Sequence, residues 1–472
     1  MPERICRKLV AGVGIIILAS AVMAGAEDVD RRVDAYVRAE MNRQKIPGLA
    51  LAVMRDGKIV KACGYGLSNV ELSVPVTAES IFQSGSVGKQ FAATAVMMLV
   101  EEGKLSLDDK ITKFSPEAPD AWDKITVRHL LTHTSGLKDY TDKNWDYRRD
   151  YTEEDILKLL QTLPLEFAPG EKWSYSNSGY ALLGFLIHRV TGKFYGDFLQ
   201  ERIFRPLGMT TTRIISERDI IPHRCAGYRL VNGELKNQEW VNPTLNTTAD
   251  GSLYFSVLDL AKWDAALYTE KLLKRSSLDE MWTPVKLNDG KTYPYGFGWA
   301  VKEMNGHRLI EHGGAWQGFT TAISRYVDDR LTLVALTNLD SLHSRPTDII
   351  HGVAGLYESV LTPPPPPPPI EDMEPGVTAL LRDLLRRIRE GTADPAVFTE
   401  DARKIWFPDR IKELQEGLEA LGPSASIELL ERKEEAGTRR YRYRLTFDGG
   451  RTITCTLELA RGNKIAALDL GE

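Results

Sequence analysis

Apolar residues at Val29, Val33, Tyr36, Val37 and Met41 recur at helical spacing and predict an amphipathic helix ending before Ile46-Pro47-Gly48. Leu49 to Met54 and Lys58 to Cys63 flank Asp56-Gly57, the signature of a tight antiparallel hairpin. Between residue 86 and the region of residue 285 the pattern changes to helix and loop. Phe91 to Val100 is a long apolar helix with Gly103 as its stop. Thr152 to Asp155 and Ser256 to Asp259 read as capping boxes for helices near 153–163 and 257–268. Strand patterns return in Tyr295 to Val301, His307 to Glu311, Phe319 to Tyr326 and Leu331 to Leu336, with turns at Asn305-Gly306 and Asp328-Asp329 and a closing helix near 345–361. Strands at both ends with helices between them predict an α/β (α+β) sandwich. Its central antiparallel sheet would come from both chain ends and be flanked by helices, with a mainly helical insertion and a cleft between insertion and sheet.

Pro363 to Pro369 is an unbroken proline run that can form neither helix nor ladder strand; as polyproline II it would be a stiff spacer of about 22 Å. Beyond it Val377 to Glu390 is amphipathic, and strand-like stretches near 426–432, 439–447, 451–460 and 464–469 are separated by Asp448-Gly449-Gly450 and Gly462-Asn463. The expected organisation is a main domain over 27–361, a linker over 362–369 and a small accessory α+β domain over 370–472. Arginine stripes at Arg382, Arg386 and Arg389 and at Arg440, Arg442 and Arg444 are surrounded by acids and read as solvated faces.

Met1 to Lys8 is basic, Leu9 to Ala26 is uncharged, and Ala24-Gly25-Ala26 precedes Glu27-Asp28. That order predicts a cleaved secretory signal over 1–26 and a periplasmic or secreted protein, in preference to an uncleaved membrane anchor. Cys6 is not in a lipoprotein box. Removing 1–26 leaves Cys63, Cys225 and Cys455, an odd number that allows at most one bridge and excludes a disulfide scaffold. The net charge of −5 becomes about −7 once one acid and three bases are lost with the signal, so nucleic-acid binding has no electrostatic support.

Ser86-Val87-Gly88-Lys89 opens the Phe91 helix, placing a hydroxyl and an amine one turn apart on one side. Chance alone supplies roughly two Ser-x-x-Lys matches in a chain of this length. The second, Ser135 to Lys138, falls in the loop-like His133-Thr134-Ser135-Gly136-Leu137, with no helix to align the pair. Two further motifs follow: Tyr175-Ser176-Asn177, on a loop before a helix expected near Tyr180, and His312-Gly313-Gly314, at the end of a predicted strand. His129 and His133 are four apart but have no third partner in view, so neither a metal nor another cofactor is expected.

These motifs, with Ile46 to Val53, Leu130 to Leu137 and Ile203 to Met209, resemble the serine β-lactamase and penicillin-recognising superfamily. The similarity covers about residues 28–361 and is to the branch that holds class C β-lactamases, D-alanyl-D-alanine carboxypeptidases, D-aminopeptidases and esterases. It implies that Ser86 is the nucleophile, that Lys89 eases its deprotonation and that Tyr175 shares the proton shuttle, its phenolate stabilised by Lys89 and a protonated His312. Asn177 would hold Lys89 and a substrate amide, and the N–H groups of Ser86 and Ala315 would form the oxyanion hole. Gly313 and Gly314 would admit substrate backbone, and Trp316 and Phe319, which follow the third motif, either wall the acyl pocket or pack in the core or its rim. His312 stands where most β-lactamases carry lysine, which removes a constant charge for a substrate carboxylate.

The resemblance therefore implies a serine hydrolase acting on a small-molecule ester, or on an amide or short peptide containing a D-amino acid. A D,D-carboxypeptidase and a weak β-lactamase are the alternatives within this chemistry. A catalytically silent binding or scaffold protein is the alternative outside it.

Overall fold

Gly48 to Met54 is buried at every position, which a strand achieves only when both of its faces are covered. The computed structural model describes residues 28–471 apart from 116, 142–145, 232, 244–247, 341–342, 436 and 448–450, so the signal expected over 1–26 lies outside the described residues. The strands are β1 (Gly48–Arg55), β2 (Lys58–Asn69), β3 (Val74–Pro75), β4 (Ala300–Met304), β5 (His307–Trp316), β6 (Phe319–Tyr326) and β7 (Leu331–Thr337). They form one seven-stranded sheet in the order β4-β5-β6-β7-β1-β2-β3, every neighbouring pair antiparallel. Both chain ends meet at β1 and β7, where Leu51 faces Ala335.

The helices around the site are α1 (28–44), α2 (Lys89–Glu101), α3 (Asn177–Thr191), α4 (Val257–Ala266) and α5 (Pro346–Tyr357); α4 and α5 lie against the strands, and α3 packs on α2. The period-two alternation of β1 sorts its side chains between two cores. Leu49, Leu51 and Val53 pack with Val33, Val37 and Met41 of α1 and with Ile349, Ile350 and Val353 of α5. Ala50, Ala52 and Met54 face the inserted region, in the cluster with Phe91 and Val96 of α2 and Val257, Leu260 and Trp263 of α4. The result is the expected sandwich, helices on both faces of one antiparallel sheet.

Three of the boundaries that differ from the sequence expectation bear on the site. The strand expected over Tyr295 to Val301 begins at Ala300, because Gly298 adopts φ +74° and turns the chain; Tyr295 keeps only an isolated bridge to Ala300. The strand expected to stop at Glu311 continues to Trp316, so His312 to Gly314 lie within β5, with Gly314 opposite Thr321. α3 starts at Asn177 rather than near Tyr180.

Compact structure divides at Pro363 and Pro364. The second unit has the helices Pro375–Arg389, Glu400–Trp406 and Asp409–Leu421, followed by a four-stranded antiparallel sheet in sequential order over Ser424–Glu435, Thr438–Phe447, Thr452–Leu459 and Ile465–Gly471. Tyr441, Tyr443, Leu445 and Phe447 alternate into its core, and on the other face Arg440 and Arg444 pair with Glu458 and Glu428. Cys63, Cys225 and Cys455 are all free thiols. No helix among the described residues is long and apolar enough to cross a membrane.

Candidate active site

Ser86 lies in the 3-10 turn Gly85–Gly88, which runs directly into α2, so the spacing of Ser86 and Lys89 becomes a contact. The buried Lys89 Nζ donates to Ser86 Oγ at 2.9 Å, to Asn177 Oδ1 at 2.8 Å and to the Asp250 carbonyl at 2.5 Å. An ammonium has three N–H donors, and here each has an acceptor. Nζ also stands 4.9 Å and 5.4 Å from the ring centres of Tyr175 and Tyr180, over faces that attract a cation. By contrast, Ser135 of the second Ser-x-x-Lys match is buried in a loop with its Oγ turned to the Leu137 N–H.

The nucleophile turn is fixed from below by Ser84. Its Oγ reaches the carbonyls of Gly85 and Gly251, both at 2.9 Å, and accepts from the Leu253 N–H at 3.1 Å. Its carbonyl accepts from Thr321 Oγ1 at 2.7 Å. Gly85 holds φ +48°, and a Cβ there would lie 2.3 Å from the Ala315 nitrogen. A Cβ on Gly314 would lie 2.2 Å from the Ser84 carbonyl oxygen. Gly314 therefore admits the nucleophile turn of its own chain. Asn177 is fixed by its own N–H, which donates to Asp139 Oδ2 at 2.7 Å.

His312 is wired inward. The Ser176 N–H donates to His133 Nδ1 at 3.2 Å, which leaves Nε2 to donate to Tyr295 Oη at 3.1 Å. The Tyr295 hydroxyl in turn donates to His312 Nε2 at 2.8 Å, and His312 Nδ1 donates to the Gly313 carbonyl at 2.6 Å. This chain is complete only with both imidazoles neutral. Burial, reinforced by the Lys89 charge, lowers His312 to about 4 and holds His133 well below the usual histidine range. The protonated His312 expected beside the Tyr175 phenolate is therefore replaced by a neutral ring whose two nitrogens are both engaged. His133, held at φ 58°, packs against Tyr175 with ring centres 4.3 Å apart and planes tilted by 36°. His129 is occupied elsewhere, capping its own helix through Thr126, and no metal-holding group of three or more His, Cys, Asp or Glu occurs among the described residues.

The β-lactamase family model matches residues 33–357. The chain belongs to this family. Penicillin-binding protein 4* of Bacillus subtilis strain 168 is 34% identical over 313 residues, 63% of this chain and 69% of that protein. A D-aminopeptidase of Gluconobacter oxydans strain 621H is 27% identical over 330 residues, 66% of this chain but only 60% of its own length. The D-amino acid amidase of Ochrobactrum anthropi SV3, solved with D-phenylalanine, superimposes with a TM-score of 0.63 at 25% identity, over 70% of this chain and 99% of that one.

In this member of the family, Ser86 opens into a cavity of about 210 Å³ lined by Gly85, Asn177 and Ala315 and walled by the aromatic rings of Tyr140, Tyr147 and Trp316. His312 does not line it. Of the two readings given for Phe319, the structure shows the core one: its ring is buried edge-on to Phe82 at 6.1 Å. Sequence reasoning missed Ser84, Tyr295 and Asp250, and gave His133 no part in the site. Ser84 was two residues from the motif in hand; Tyr295 and Asp250 sit in no motif and are brought in by the fold.

Proposed function

We propose that the protein is a serine hydrolase that forms an acyl-enzyme on Ser86 and acts on amides, short peptides or esters, with D-amino-acid-containing amides preferred. The observation that carries this reading is the single Lys89 ammonium bonded to both Ser86 Oγ and Asn177 Oδ1 beneath the Tyr175 ring. Its positive charge lowers the cost of the Ser86 alkoxide and of a Tyr175 phenolate. Tyr175 takes the Ser86 proton as Oγ bonds the carbonyl carbon, and returns it to the amine or alcohol as that group's bond to the carbon breaks. Water attacks the acyl-enzyme by the reverse proton path. The N–H groups of Ser86 and Ala315, both at the cavity, take the oxyanion.

The preference for D-amino acid amides draws on the D-aminopeptidase and D-amino acid amidase relatives. The environment of His312 supports it. A neutral histidine gives a carboxylate-bearing β-lactam or a peptide C-terminus no fixed cation, and the cavity has no Lys or Arg among its described lining residues. The reading includes export through residues 1–26. A fluorophosphonate should label the wild-type protein and not Ser86→Ala, and a D-alanine anilide should outpace a cephalosporin. Equal labelling of the two proteins would overturn the acyl-enzyme, and a fast cephalosporin would overturn the substrate preference.

A further inference from the structure

None of residues 239–242 is among the described lining residues of the Ser86 cavity, yet this segment is fastened to two of the cavity's aromatic walls. At one end the backbone N–H and the side-chain Nδ2 of Asn242 both donate to the Tyr147 carbonyl, each at 2.9 Å. At the other the Glu239 carbonyl accepts from Nε2 of Gln317, the residue after Trp316, at 2.9 Å. Between them Val241 is buried in the core shared with α2 and α4. The Tyr147 and Trp316 rings meet with centres 6.4 Å apart and planes tilted by 47°, within the range where aromatic rings attract. The segment is thus a brace that holds the Tyr147 wall against the Trp316 wall. Backbone pairing alone would need only the Asn242 N–H. The side-chain amide of Asn242, a residue 1% exposed, sits where an unpaired amide is costly, and it is directed to the second lone pair of the same carbonyl. The Tyr147 backbone is doubly held in this way, while the residue is 38% exposed and its hydroxyl reaches the Thr141 carbonyl only at 3.4 Å.

Resting on the acyl-enzyme reading of Ser86, we propose that Asn242 is a specificity-determining positioning residue: by fixing Tyr147 against Trp316 it sets the largest acyl group the cavity accepts. At about 210 Å³ the cavity is below the 300 Å³ or so at which drug-sized pockets begin, so the acyl chain it admits depends on where its walls stand. Trp316 ends β5 and pairs with Phe319 of β6, and it cannot retreat without parting the sheet. Tyr147 sits in a turn outside every helix and strand, and it is the wall that can yield. Asn242 acts through that wall and not on the reacting atoms. Without its amide the turn loses one of the two bonds to the Tyr147 carbonyl, and the ring is free to swing off Trp316 and admit a longer chain.

The test measures kcat and KM for p-nitrophenyl acetate, butyrate and octanoate on the full-length wild-type protein, on Asn242→Ala, on Tyr147→Ala and on the double variant. For the wild type, kcat/KM should favour acetate over octanoate by on the order of 100-fold, the scale on which a pocket discriminates by added methylenes. Asn242→Ala and Tyr147→Ala should each cut that ratio about tenfold, mainly through a lower KM for octanoate. The double variant should cut it no further, because both substitutions remove the same wall. A wild type indifferent to chain length would overturn the assignment, as would a second full step in the double variant. So would an Asn242→Ala protein that loses rate on all three esters in proportion, the result a purely structural role gives. Asn242→Asp keeps the shape but loses the amide donor, and it replaces Asn242→Ala if that variant does not fold. Tyr147→Ala stands apart from both, and an unchanged ratio there overturns the wall itself. Fluorophosphonate labelling of Ser86 on the same samples separates these failures from that of the acyl-enzyme reading.

Discussion

At the scale of single residues, the site is built from groups whose protonation the fold dictates. His312 has a pKa of about 4 in the folded protein against about 6.5 in an unfolded chain. Between those values the unfolded chain binds a proton that the folded one refuses, so stability falls as pH drops from about 6.5 to about 4. For His312 alone the loss is roughly 3 kcal/mol, and His133, depressed for the same reasons, adds to it in the same direction. Denaturant midpoints from pH 7.5 to 4.5 should therefore fall less steeply for His312→Gln than for the wild type; parallel slopes would show that His312 is not held neutral. Neighbouring Glu311 behaves oppositely. Burial alone would raise its carboxyl, but His351 and Lys302 together pull it down to about 2, so it stays ionised across this window.

At the scale of elements, short-range rules were legible wherever the chain obeyed them locally. The Thr152 box is reciprocal, with Thr152 and Asp155 each bonding the other's backbone N–H. Ser256 caps its helix one-sidedly, because the Asp259 carboxylate instead accepts from Thr211 and Thr212. That departure is a long-range contact, which no capping pattern encodes. The β5 strand, expected to stop at Glu311, runs on through Gly313 and Gly314 to Trp316, and Gly314 lets it pass against the Ser86 turn. Gly314→Ala should therefore be severe, since its Cβ would meet backbone at 2.2 Å, and backbone cannot give way as a flexible side chain can. A loss of about 1–3 kcal/mol in thermal or denaturant unfolding, with reduced Ser86 labelling, is expected. Gly313→Ala is the control, as nothing lies closer than 3.8 Å to its Cβ position, and it should lose little stability.

At the scale of the whole molecule, the first unit closes its own two cores on either side of the sheet, and the second has a separate core of helices and a meander. A chain ending at Pro363 should consequently fold, melt cooperatively and retain Ser86 labelling by a fluorophosphonate. Insoluble product, or soluble product without labelling, would assign the second unit a part in folding or activity. What the sequence determined by itself was set by near neighbours: hydrophobic period, capping and turn residues, and the Ser86 and Lys89 spacing, which a helix entrance turns into a 2.9 Å contact. The tertiary structure decided the rest. Asp250 reaches Lys89 across 161 positions and Tyr295 reaches His133 across 162, and burial at that meeting point, not any local pattern, makes His312 neutral.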